Sequence, residues 1–323
     1  MAIELPATLT TRAPSRHVRL RALRNIVGCG AMSGMSISTV VLLLIVGGTL
    51  LARAWPMLNN QSLGAMLSGT VWKPSQGVFG FAPFIAGSAM VTLVAMVVAV
   101  PPAILCGVYL AEYASSRSRI WIKPVIDLLA GVPPVIYGLW GIMLIVPFVR
   151  DTFAPWMDTH VGSILPWFHN TSPSGYGLFA AGLVLGAMVF PLVVAVIDEV
   201  LRAVPASLRE SLYALGSTRW EVTKVALFRA ALPGMIAAVV LGFSRAFGET
   251  LAVLMVIGNV PQIPNSLFAG ASTLSGLIAN NYGEMMSVPL YESALMGAAL
   301  VLLTVVVIFN IGARLTIRMI TQH

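Results

Sequence analysis

An all-α fold, a polytopic membrane bundle of six transmembrane helices, is what this sequence predicts, and three observations predict it. Of the 323 residues, 58% are hydrophobic and 10% charged, against about 45–50% apolar residues in soluble domains. The apolar residues come in runs longer than ~18, the length at which a helix crosses ~30 Å of hydrocarbon. They do not alternate over the ~10-residue segments of a membrane β-barrel, so helices must satisfy the backbone in lipid.

The elements follow in order. A basic arm, 1–25, leads into a first span at 26–52. Ala52-Arg53-Ala54 resembles a signal-peptidase site, but the run outlasts the ~7–15 residues of a signal-peptide core, so an uncleaved anchor is expected. A connection at 53–83 precedes spans at 84–111, 124–149, 176–197, 233–258 and 290–313, and a short tail, 314–323, follows. Pro101-Pro102 falls inside the second span and Gly131-Val132-Pro133-Pro134 inside the third. Proline removes an amide donor and kinks a helix. These breaks are either matters of helix shape or hinges beside a pathway.

Six crossings put both termini on one side. All the Lys and Arg residues except Arg53, Lys73, Arg150 and Arg245 then fall on that side, which makes it cytoplasmic by the positive-inside rule. The net charge of +7 is therefore a topology signal; no single basic face suggests nucleic acid. The outer connections, 53–83, 151–175 and 259–289, carry turn formers and aromatics such as Trp156 and Trp167. These Trp residues read as interfacial anchors or as contacts for an external partner.

The polar excursion from Asp198 to Ala231 cannot lie in lipid. Pro205 is placed to start a helix, Leu208, Leu212 and Leu215 give it an apolar edge, and Gly216 stops it. Trp220, Val222, Val225 and Leu227 supply a second amphipathic piece. Helix, glycine turn, helix along the membrane face is the expected form, a docking surface for a soluble partner.

In the fifth span Arg245 lies twelve residues after Pro233, about 18 Å along a helix and close to the midplane. Glu249 follows at i+4, so both side chains are expected on one face. An isolated Arg there costs about 2.5–3.5 kcal/mol on insertion scales. Mutual neutralisation is one reading. An anion pathway is the other: guanidinium offers bidentate, charge-assisted bonds to an oxyanion, with Glu249 limiting retention. The Arg-to-Glu order is the weaker direction for an i,i+4 pair and favours the pathway. Ser244 and Thr250 add hydroxyls to that face or bond to backbone carbonyls.

Enzymatic patterns are missing. The only lysines follow Trp72, Ile122 and Thr223, so no Gly-Lys phosphate loop exists and the chain carries no nucleotide cofactor of its own in that manner. Cys29 and Cys106 fall in predicted spans, and His17, His160, His169 and His323 lie in the arm, an outer loop and the C-terminus without metal spacing. The acids Glu112, Asp127, Asp198 and Glu199 form no recognised nucleophile or metal pattern.

With these residues in view, Glu210-Ser-Leu-Tyr-Ala-Leu-Gly216-Ser-Thr-Arg-Trp220-Glu-Val resembles the EAA loop of bacterial ABC-importer permeases. Ser211 and Leu212 replace its two alanines, and Phe228-Arg229 stands where Leu-Pro is usual, with Leu232-Pro233 four residues on. Ser244 to Val253, Ile257-Gly-Asn259 and Asp127 to Gly141 resemble the permeases of the phosphate-specific importer, the PstC type more than its PstA-type sister. The resemblance runs from about Phe79 to Arg318 and makes 84–313 a permease core of the type I importer kind, with a coupling loop at 198–232. It implies an inner-membrane subunit that is not itself an enzyme and carries phosphate inward. Its partners would be a PstA-type sister permease, two ATPase subunits that use ATP, an extracytoplasmic phosphate-binding protein and membrane lipid. Glu210, Ser211, Leu212, Leu215, Gly216 and Trp220 would meet the ATPase; Arg245, Glu249, Ser244 and Thr250 would line the substrate pathway. The rivals are a permease of this architecture for molybdate, sulfate or a peptide, a membrane enzyme acting on phosphorylated lipids, and a passive anion channel.

Overall fold

The computed structural model describes residues 16–170, 172–283 and 288–321. The first fifteen residues of the predicted arm, the side chain of His17, and His323 lie outside the described residues. Two units are distinguished, residues 1–49 and 50–323. The described part of the first is helical, with apolar side chains such as Met35, Leu42 and Leu44 exposed. This helix, α1, runs Arg16–Asn60, longer at both ends than the 26–52 expected.

In the second unit, α2 (Leu63–Ser68) leads to a two-stranded hairpin, β1 (Trp72–Lys73) and β2 (Val78–Phe79), paired Trp72 to Phe79. Trp72 then packs edge-on against Phe79, Phe84 and Tyr291 at 5.2–5.9 Å. With Met57, Phe81, Leu274 and Leu295 these rings form a compact cluster at one end of the bundle.

The long helices follow. α3 (Ala82–Val108) continues through a π turn to Tyr113, and α4 (Ser116–Ala130) is separate. α5 (Pro134–Trp140), α6 (Val146–Phe148) and α7 (Ala154–Met157) are joined by π turns into one span, Pro134–Gly162. The third crossing therefore starts ten residues later than the expected 124. Gly131-Val132-Pro133 does break the chain, because Pro133 sits extended ahead of α5 and disfavours helix before it. His160, expected in a loop, lies in the last π turn of that span. α8 is Leu178–Arg202, α9 Ala206–Ala214, α10 Arg219–Val225, α11 Leu232–Gly248, α12 Leu251–Leu254, α13 Leu274–Asn281 and α14 Pro289–Thr321. Six stretches among the described residues are long and apolar enough to cross a membrane.

Packing centres on α3 against α8. Gly87, Val91, Ala95, Ala99, Ala103 and Gly107 recur every fourth residue and are all buried; small residues at that spacing let two membrane helices approach closely. Pro101 and Pro102 are exposed, off this stripe. That is why α3 passes through them as one helix, contrary to the expected break. Gly107 shows how tight the approach is: an added Cβ would lie 2.6 Å from Ile197 Cγ2. Overpacking of this kind costs about 1–3 kcal/mol, so Gly107→Val is expected to lower the melting temperature of the detergent-solubilised protein by several degrees.

Candidate functional site: a self-capped loop and a broken fifth span

The loop between α8 and α11 is built from local rules. Pro205 occupies the N-cap of α9, as its fixed φ suggests. At the other end Gly216 has φ +82. Its N–H bonds the Tyr213 carbonyl at 2.9 Å and the Ser217 N–H the Leu212 carbonyl at 3.1 Å, which is the Schellman termination. Thr218 then starts α10 with a capping box: its N–H donates to Glu221 at 2.7 Å, and its Oγ1 accepts from the Glu221 N–H. The turn is thus closed by its own residues. The Thr-x-x-Glu signature was readable in the sequence.

α10 does not remain a separate piece. It passes through a π turn, Ala226–Ala231, into α11, so that Arg219–Gly248 is one long helix. Pro233 has no N–H for the Arg229 carbonyl, and the wider π turn sits just ahead of that gap. The excursion predicted from Asp198 to Ala231 is correspondingly narrower, because α8 stays helical to Arg202 and the next membrane-crossing helix begins at Arg219.

Side chains of the loop divide into outward and inward sets. Glu210, Ser211 and Trp220 are exposed, and Leu215 is 82% exposed. The expected Leu208-Leu212-Leu215 edge splits: Leu208 packs against the core, Leu212 is half-buried, and Leu215, at the C-cap, projects outward. Inward, Arg209 reaches Glu112 at 2.7 Å and donates to the Val204 and Leu201 carbonyls at 2.7 Å each. Arg219 donates to the Glu112 carbonyl and lies 4.9 Å over the Tyr113 ring. Nearby, buried Asp198 is held by Arg119 at 2.7 Å, Arg202 at 3.2 Å and Lys123 at 3.7 Å. These two carboxylates, Glu112 and Asp198, were among the four acids without a pattern in the sequence. A signal existed, since each is an acid ending an apolar run among surplus cations, but Arg119 lies 79 residues from Asp198 and Arg209 lies 97 from Glu112 along the chain.

The second region departs from expectation. α11 ends at Gly248, and Glu249 is extended, with φ −69 and ψ 135. Arg245 and Glu249 therefore do not share a helix face, and among the described residues no ion pair joins them. Glu249 accepts the Thr250 N–H at 3.0 Å, and its carbonyl accepts from Ser275 at 2.8 Å. The Glu249 carboxylate, just ahead of α12, and a hydroxyl from α13 together hold this break. Ser244 turns to Asn310 of α14, with Nδ2 to Oγ at 3.1 Å, and Thr250 Oγ1 reaches only the Gly248 carbonyl at 3.4 Å. Arg245 itself is exposed in the chain. Tyr137 donates to the Leu129 carbonyl at 2.9 Å, bridging the α4–α5 break.

At the end away from the loop, a polar cleft of about 660 Å³ is lined by Ser172, Ser174, Tyr176, Asn259, Gln262 and Asn265. The connections after the third and fifth spans form it, tied where Leu267 N–H and Ser266 Oγ meet the Trp167 carbonyl.

Comparison with known proteins adds a family. The model described as binding-protein-dependent transport system inner membrane component matches residues 103–321. The probable phosphate transport system permease protein PstC of Methanocaldococcus jannaschii is 35% identical over 84% of this chain and 86% of its own length. The PstC of Haemophilus influenzae is 34% identical over 87% and 89%, and that of Mesorhizobium japonicum 33% over 93% and 91%. Among solved structures, an inward-facing MetNI methionine ABC transporter chain aligns with a TM-score of 0.55 at 19% identity, covering 77% of this chain and 99% of that one; this likeness concerns the fold alone.

Proposed function

This chain belongs to the binding-protein-dependent transport system inner membrane component family, and we propose that within it the protein is the membrane-spanning permease subunit of an ATP-driven importer of inorganic phosphate. The observation that carries the reading is the extent of the likeness to proteins named as phosphate permeases, over more than four fifths of both chains. It is a multi-pass membrane protein of an ABC transporter. In this reading both termini and the 205–221 loop are cytoplasmic, which agrees with the placement of the basic residues. A PstA-type sister permease completes the path, a phosphate-binding protein delivers the anion outside, and two ATPase subunits consume the ATP.

The mechanism follows from the two regions. The outward residues Glu210, Leu215 and Trp220 engage the ATPase, and its closure on ATP moves α9 as a lever that turns the pathway from inward-facing to outward-facing. Arg245, exposed in the single chain beside the break in the fifth span, gives the anion a transient bidentate contact. Glu249 does not neutralise Arg245 from the same helix face; it holds the break that sets where α11 ends. Labelled-phosphate uptake into proteoliposomes of the full complex tests the cargo: phosphate should be imported with ATP and resist competition by excess sulfate or molybdate. Uptake abolished by either competitor, or uptake that needs no ATP, would sink this assignment.

A further inference from the structure

We propose that Glu112 is a positioning residue for coupling, the fixed point through which motion of the loop reaches the second span; this rests on the reading of the loop as the ATPase dock. Glu112 ends the second span in the π turn Tyr109–Tyr113, and its side chain is 6% exposed. Its carboxylate takes Arg209 through Nη2 at 2.7 Å and Nε at 3.3 Å. The helix stops just beyond, so the Glu112 carbonyl belongs to the terminal set that lacks intrahelical donors. Arg219 supplies one, with its guanidinium also laid over Tyr113.

Arg209 belongs to α9 and Arg219 to α10, the helices on either side of the Gly216 turn. Both halves of the loop are therefore fastened to Glu112, α9 at its carboxylate and α10 at its carbonyl. Arg209 extends the fastening to the end of the fourth span, at the Leu201 carbonyl, and to the Val204 carbonyl just beyond it. A push on α9 from outside cannot be absorbed by flexing at Gly216, because the far side of that turn is held to the same point. It passes instead to the end of α3, and α3 is packed along α8 by its stripe of small residues. Glu210, the neighbour of Arg209, is exposed and left for the partner. Adjacent residues thus divide the work, one receiving force and one transmitting it.

The test uses the complete complex, with sister permease, ATPases and binding protein, in proteoliposomes, and reads ATP hydrolysed per phosphate imported. Glu112→Gln keeps the shape and removes the charge. The ATPase should still co-purify, while the ratio rises about tenfold, within the range typical of coupling between two sites. Glu112→Asp should restore most of the coupling. The double variant with Arg209→Gln should be no worse than either single change, since the two act through each other. A wild-type ratio in Glu112→Gln, with or without lower yield, assigns the residue a structural role only and overturns the proposal. If Glu112→Gln does not assemble, Arg209→Lys decides. It keeps the charge and loses the fork, so the ratio should rise several-fold, and an unchanged ratio overturns the proposal. Failure of the underlying reading would look different, because the unaltered complex would then show no hydrolysis stimulated by the binding protein.

Discussion

Gly216→Val should detach the ATPase from an otherwise intact membrane subunit. The residue sits at φ +82, where a β-branched side chain carries strain of about 1–3 kcal/mol. That strain equals about a 5- to 150-fold loss of the native turn. Its N–H and that of Ser217 make the two bonds that end α9, so a changed φ would turn Glu210 and Leu215 away from their present direction. Nothing lies within 4 Å of the position a Cβ would occupy, so the substitution acts through backbone conformation and not through collision. Span packing should survive, and melting of the isolated subunit should change little. Co-purification of the ATPase and hydrolysis stimulated by the binding protein should both fall by about tenfold or more. Gly216→Asn should lose much less, because Asn tolerates the left-handed region. Intact co-purification with normal coupled hydrolysis in the Val variant would remove the turn from the docking mechanism.

What could be read in the sequence was whatever local chemistry decides. Apolar run length gave six spans, Pro205 and Gly216 bounded α9, and Pro133 marked the break before α5. Boundaries slipped where tertiary packing decides. The third span starts at Pro134 because α4, which looks like its first half, is pinned by Arg119 and Lys123 to Asp198 of α8. The prolines at 101 and 102 left α3 continuous because the packed stripe, not the local backbone, controls that helix. Glu112 and Asp198 stayed illegible for a different reason. Ion pairs across 97 residues, as for Glu112 and Arg209, or 79, as for Asp198 and Arg119, have no signature in periodicity; only the i+4 contact of Asp198 with Arg202 is local. The same holds for Glu249: spacing of four implies a shared face only if the helix persists, and α11 ends one residue too soon.

That broken helix sharpens the expectation for Arg245→Ala. Had Glu249 been its partner, truncation would leave a carboxylate without a countercharge, and any loss of transport would be confounded with instability. In the structure Arg245 is exposed and no pair joins it to Glu249 among the described residues, while Glu249 is occupied by the Thr250 N–H. Removing the guanidinium therefore breaks no ion pair among the described residues, and the complex should assemble with normal ATPase content. Phosphate uptake should fall by about 10- to 150-fold, the equivalent of ~1.5–3 kcal/mol for a hydrogen bond to a charged group. Arg245→Lys should lie between the two, since it keeps a positive point charge without the planar fork that fits two oxyanion atoms. Glu249→Gln should depress uptake less than Arg245→Ala does, because the amide oxygen can still accept the Thr250 N–H. Equal uptake in the wild type and in an assembled Arg245→Ala complex would place the anion's route elsewhere.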